Sequence, residues 1–142
     1  MRRRYKILLG IAAVWIIGMA LATPRLLKAW QQKKAMDQTF ADYERAVTSG
    51  RWEDAYGYAA PDFRGSTSLQ EFEEQHRELA AKFGDLKAIE QGRTRVDGKG
   101  TSPTWSAEIY ADLHYKNGTV PMVYWFRSLD GRWKLMGYRQ RE

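Results

Sequence analysis

TSPTWSAEIYADLHYKNGTVPMVYWFRSLDGRWKLMGY, residues 101–138, reads as three antiparallel strands joined by two tight turns. The turns are Asn117-Gly118 and Asp130-Gly131. Both dipeptides suit a type I′ hairpin loop, whose two central residues need positive φ. With Asn117-Gly118 as the loop, the expected pairs are Tyr115 with Val120, Leu113 with Met122, Ala111 with Tyr124 and Ile109 with Phe126. With Asp130-Gly131 as the second loop, Ser128 faces Trp133, Phe126 faces Leu135 and Tyr124 faces Gly137. These pairs share one apolar face, because side chains alternate along a strand.

The other face is mixed. Glu108 opposite Arg127 predicts a cross-strand ion pair, beside an apolar cluster of Tyr110, Val123, Trp125, Met136 and Tyr138. An earlier strand is expected over residues 85–96. Its alternation breaks at Ile89, which points to a bulge or an edge strand.

Upstream the pattern turns helical. Met36, Phe40, Tyr43 and Val47 recur on one helix face, with Pro24 fitting a first helical position and Gly50 the C′ position. Trp52, Ala55, Tyr56 and Ala59 form a second, shorter face ended by Pro61. A loop over residues 61–67 carries Phe63 inward. Ser68-Leu69-Gln70-Glu71 is a capping box. It opens a third helix whose face is Leu69, Phe72, His76, Leu79, Ala80 and Phe83, closed by Gly84. Helices first and antiparallel strands after make an α+β pattern: helices packed on one face of a curved sheet of about four strands.

Net charge is +6 over 142 residues, but eight of the 23 basic residues fall in residues 1–34, which hold no acidic one. The remainder carries 15 basic and 17 acidic residues. A near-neutral folded part argues against a nucleic-acid partner, which needs a basic face. Within the basic segment, residues 7–22 form an uncharged run at the short limit of a membrane span. Residues 1–34 are therefore expected to be a membrane anchor and stalk, and residues 35–142 the domain. A single transmembrane helix is expected ahead of the sheet. Its basic flank places the N-terminus in the cytoplasm and the domain in a bacterial periplasm. Ala20-Leu21-Ala22 also fits a cleavage site, so the alternative is a secreted protein cut near Ala22. The absence of cysteine excludes disulfides, thiolate nucleophiles and cysteine-ligated metals.

The order Gly50-Arg51-Trp52-Glu53-Asp54-Ala55-Tyr56, Phe63, Ser68 to Phe72, Gly84, then Asp130-Gly131-Arg132-Trp133-Lys134-Leu135 with Gly137-Tyr138 resembles the nuclear transport factor 2-like superfamily. These are cystatin-like cone domains, here resembling the bacterial membrane-anchored type. The resemblance spans about residues 35–140 and implies a curved sheet wrapped by helices. Its members include isomerase-like enzymes, ligand-binding domains and membrane-anchored envelope subunits.

Two sites follow as expectations. The first is a partner or homodimer interface on the outer sheet face, made of Glu108, Tyr110, Val123, Trp125, Arg127, Met136 and Tyr138. These include the side-chain types enriched at interfaces. The second is a cavity between helices and sheet lined by Tyr56, Phe72, His76, Tyr124 and Phe126. His76 is the one candidate acid–base group on the apolar face of the third helix. The core face of the sheet holds no carboxylate to work with it. Asp112 and His114 share the outer face and read as a solvated pair. No catalytic residue, cofactor or metal site is expected. The reading is a non-catalytic interaction or accessory subunit of an envelope membrane complex, with a small-ligand or isomerase-like cavity protein as the alternative.

Overall fold

The structure is a computed structural model that describes the backbone of residues 2–98 and 104–142 and the side chains of residues 24–98 and 104–142. In chain order the elements are α1 (Arg2–Thr48), α2 (Trp52–Tyr56), α3 (Pro61–Ser66), α4 (Leu69–Phe83), β1 (Leu86–Gly98), β2 (Trp105–Tyr115), β3 (Gly118–Leu129) and β4 (Arg132–Gln140). The strands form one antiparallel sheet in sequence order, β1-β2-β3-β4.

The helices lie on the apolar face of that sheet. Met36, Phe40 and Tyr43 of α1 are fully buried, and Val47 is nearly so, as their shared helix face requires. Gly50 ends the helix at φ +68°, with the Arg51 amide donating to Ala46 O at 2.9 Å. The capping box forms as read: Ser68 Oγ accepts from Glu71 N, and the Glu71 carboxylate accepts from Ser68 N at 2.7 Å.

Several expectations are corrected. The expected helix start at Pro24 is absent, because Pro24 lies inside α1. The single transmembrane helix expected ahead of the sheet is not found: among the described residues no helix is long and apolar enough to cross a membrane. The described part of α1 carries Arg25, Lys28, Lys33, Lys34 and Asp37 within four turns. The run over residues 7–22, on which that expectation and the cleavage alternative rest, lies outside the residues whose side chains are described. Residues 61–67 are not a loop: Pro61 occupies the first turn of α3, where its missing amide is no loss.

The β2–β3 register differs from expectation by two residues. Tyr115 pairs with Gly118, Leu113 with Val120, Ala111 with Met122 and Ile109 with Tyr124. The turn centres on Lys116-Asn117, and neither residue has positive φ. The cause is the end of α4. Lys116 N donates to Asp85 O at 2.9 Å, and Asn117 N donates to Phe83 O at 2.8 Å. Gly118 is needed for close approach instead of for a left-handed conformation, because a Cβ there would stand 3.0 Å from Phe83 Cδ1. A shift of two leaves every side chain on its expected face. It also separates Glu108 from Arg127: Glu108 pairs with Trp125, and Arg127 with Ser106.

The β3–β4 turn is as expected, with Asp130 at φ +51° and Gly131 at +74°. Ser128 pairs with Trp133 and Phe126 with Leu135, and then the register slips. Trp125 meets Gly137, Tyr124 meets Tyr138 and Val123 meets Arg139. Met136 is the extra residue of a β-bulge, and beyond it Tyr138 turns to the core side. β1 is an edge strand with two register irregularities of its own. The other edge is covered, since Leu135 N donates to Tyr58 O and Ala60 N to Leu135 O, at 2.7 and 2.8 Å.

Ser68→Ala removes the cap of α4, the helix whose end pins the β2–β3 turn. It is expected to lower unfolding free energy by about 1 kcal/mol, read as a fall in the urea midpoint at unchanged slope.

Candidate functional site

Two places gather chemistry: the interior under the helices and the outer face of the sheet. The interior is filled by rings. Phe40 and Tyr43 of α1 pack edge-on to Tyr124 of β3, with centroids at 5.3 and 5.8 Å. Phe126 joins this group at 6.1 Å from each helix ring. A second group sits beneath α2 and α4: Phe72 lies 4.6 Å from His76, and Trp52 lies 5.1 Å from His76. Tyr138 connects the two, at 5.7 Å from Tyr124, 5.6 Å from His76 and 6.0 Å from Phe72.

Of the expected cavity residues, Phe72, His76, Tyr124 and Phe126 are buried. Tyr56 stands at the margin, half-buried, donating from its hydroxyl to Thr67 O at 2.7 Å. The structure therefore brings these five residues together with Tyr43, Phe40, Trp52 and Tyr138, which the sequence did not assign to that site.

His76 is 5% exposed, and its Nδ1 lies 2.8 Å from Phe72 O. A carbonyl oxygen only accepts, so Nδ1 carries the proton and the neutral ring leaves Nε2 as an acceptor. Burial holds the imidazole below its usual range, and the Phe72 carbonyl partly offsets this. The ring forms part of the wall of a groove of about 380 Å³, together with Val47, Trp52, Glu73, Arg77 and Tyr115. Burial pushes the Tyr115 phenol up to about 12. The phenols of Tyr43, Tyr124 and Tyr138 are also raised, first by burial and then by neighbouring groups: Tyr124 and Tyr138 act on Tyr43, Tyr138, Tyr115 and Glu44 on Tyr124, and Tyr115 on Tyr138. Tyr138 donates to Gln75 Oε1, whereas the hydroxyls of Tyr43 and Tyr124 are buried with no hydrogen-bond partner among the described residues.

The outer face is organised by arginine. The Arg93 and Arg141 guanidiniums lie against the Tyr110 ring at 4.8 and 5.2 Å, and Arg139 lies over Trp125 at 5.6 Å. Arg141 also donates to Asp112 at 2.9 Å, and Tyr110 Oη donates to Glu108. Val123, between Tyr110 and Arg139, is buried at 2% exposure. Two shallow depressions flank this ladder. One of about 270 Å³ is bounded by Glu108, Trp125, Arg127 and Met136; the other, of about 360 Å³, by Tyr110, Arg139 and Arg141.

Thus five of the seven expected interface residues, Glu108, Tyr110, Trp125, Arg127 and Met136, share a surface. Val123 lies beneath it, and Tyr138 has left it for the interior. The three arginines were missed because two of them lie beyond the β4 bulge and Arg93 beside a β1 bulge, where simple alternation fails. His114 pairs with Glu90 at 3.0 Å on the same face, and its Nδ1 lies 3.1 Å from Thr119 Oγ1. Among the described residues no group of three histidine, aspartate or glutamate side chains is arranged to hold a metal ion.

No protein-family model matches the chain, and no curated protein matches it in sequence. Solved structures do. A Nostoc punctiforme protein of unknown function with a cystatin-like fold superposes at TM-score 0.56 with 14% identity, over 76% of this chain and 88% of that one. Aln2 from a Streptomyces species superposes at 0.59 with 13% identity, over 79% and 90%. At such identities the likeness shows the fold alone. The chain has the cystatin-like, nuclear transport factor 2-like fold; a membrane-anchored subtype is shown by neither neighbour.

Two outcomes are expected from the interior. Tyr124→Phe removes a buried hydroxyl that has no partner, so its unfolding free energy should equal or exceed that of the wild type, by up to about 1 kcal/mol. A loss of more than that would mean the hydroxyl is bonded. His76 has a folded pKa below its unfolded value of about 6.5. The unfolded chain then binds more protons in acid, so stability present above pH ~6.5 falls as pH drops toward the folded pKa. In His76→Gln, urea midpoints between pH 5 and 8 should lose that part of the slope.

Proposed function

We propose that this chain is a non-catalytic interaction domain that associates with a second copy of itself through the outer face of its sheet. The observation that carries the reading is the arginine–aromatic ladder, with Tyr110 and Trp125 half-exposed between guanidiniums and a depression on either side. Tryptophan, tyrosine and arginine are the residues that dominate binding energy at interfaces, and they do so beside pockets that take up a partner's side chain.

A second copy fits this face because it carries both signs of charge within a short span. Glu108 accepts from Tyr110, and Arg127 lies two residue pairs away along β2 and β3, on the same face. A twofold axis passing between these two positions sets each against its opposite in the other copy, an isologous contact.

The interior supports the non-catalytic side of the proposal. The core-facing residues of β2, β3 and β4 include no carboxylate, and His76 is tied to a carbonyl of its own helix. General acid–base chemistry needs a proton donor or acceptor within reach of substrate, and the space beside Phe72 and Tyr124 is taken by Tyr138. The groove at His76 favours a second reading, a small-ligand site at the mouth of the interior.

Sedimentation velocity on the full-length chain tests the proposal. The wild type should sediment as a dimer and Trp125→Glu as a folded monomer. Arg127→Glu and Glu108→Arg should each weaken association about tenfold, and the double variant should recover most of it. A monomeric wild type, or singles and a double that behave alike, removes the sheet face from consideration.

A further inference from the structure

Among the described residues, Leu26, Leu27 and Trp30 are the exposed large hydrophobics, at 69%, 55% and 60% exposure. All three belong to the stretch of α1 between Pro24 and Met36, the first buried residue among those whose side chains are described. At 3.6 residues per turn they fall within an arc of about 100°. The charges around them are all positive: Arg25, Lys28, Lys33 and Lys34, with no acidic residue before Asp37. Lys34 Nζ lies 5.5 Å from the Trp30 ring, and Lys33 pairs with Asp37 at 2.6 Å. Lys33 lies at the edge of that arc and Lys34 within it, Gln31 flanks its other edge, and Arg25, Lys28 and Gln32 occupy the opposite side.

We propose that this face of α1 lies on the surface of an anionic lipid bilayer, with Leu26, Leu27 and Trp30 in the headgroup–acyl boundary, Lys34 within that arc against lipid phosphates, and Arg25 and Lys28 adding positive charge from the polar side of the helix. Two independent features select that occupant. An apolar arc bordered by cations is the pattern of an interfacial helix, and tryptophan is the aromatic that settles at headgroup depth. The uniform sign matches the negative potential of anionic leaflets, and lysine and arginine stems extend along apolar surface while their charges reach phosphate. A helix pairing with a second copy along this face would instead bring like charges together, with no carboxylate to offset them. The inference is separate from the sheet-face contact, which lies on the far side of the sheet from α1.

The test is co-sedimentation of the full-length chain with vesicles of phosphatidylcholine and phosphatidylglycerol, beside vesicles of phosphatidylcholine alone. The wild type should bind the anionic vesicles, less so as salt rises. Both the Leu26→Gln/Leu27→Gln/Trp30→Gln variant and the Lys28→Glu/Lys34→Glu variant should lower partitioning by about tenfold or more. Trp30→Phe should remove the blue shift in tryptophan emission that binding produces. Equal binding to neutral vesicles overturns the proposal, as does unchanged binding in both multiple variants, which would assign it to residues ahead of Pro24. Loss of self-association without any vesicle binding also overturns it, in favour of a contact between copies.

Discussion

The bulge at Met136 is the constraint on which the interior depends. Without it, alternation would place Tyr138 on the outer face beside Trp125. With it, Tyr138 crosses to the core and joins Phe40, Tyr43, Tyr124 and Phe126 to Trp52, Phe72 and His76. Each aromatic pair is worth about 0.5–1.5 kcal/mol beyond the area it buries. The same residue then ties the sheet to α4 through its hydroxyl and Gln75. On the other side Gly137 pairs with Trp125, where a Cβ would make an ordinary contact at 3.9 Å. One inserted residue therefore fills the core and opens the outer surface.

The helices complete the arrangement by short, specific ties. α4 is started by its capping box, and its end, through Phe83 O and the following Asp85 O, fixes the β2–β3 turn. α1 lays Met36, Phe40, Tyr43 and Val47 along the sheet, and Asp37 receives a hydrogen bond from Gln91 at the second β1 irregularity. Tyr43 and Tyr124 meet in the middle with hydroxyls that have no hydrogen-bond partner among the described residues, so packing and not polar pairing holds the centre.

The helix faces, the capping box, Gly50, the Asp130-Gly131 turn and the side of the sheet that is buried were legible because each follows from local periodicity or backbone conformation. Less was legible where a distant element overrode a local preference. Asn117-Gly118 has the composition of a type I′ turn, yet the end of α4 claims the amides of Lys116 and Asn117 and shifts the register by two. Strand alternation gave the outer-face residues up to Met136 and failed beyond it, since a bulge leaves no period to read. That failure misplaced Tyr138 and hid Arg139 and Arg141. Pro61 read as a break, whereas its place at the start of α3 depends on the Tyr58–Ala60 segment being held against Leu135.

That held segment has a consequence for how copies of this chain add up. Pairing of Tyr58 and Ala60 with Leu135 occupies one lateral margin of the sheet at the middle of β4. The opposite margin, β1, is interrupted twice, and its Gln91 side chain is turned back to Thr94 and Asp37. Strand-by-strand addition, the route by which sheets grow into fibres, finds no straight template at either end. Under the proposed twofold contact, copies would instead meet face to face, and an assembly built that way would close at two.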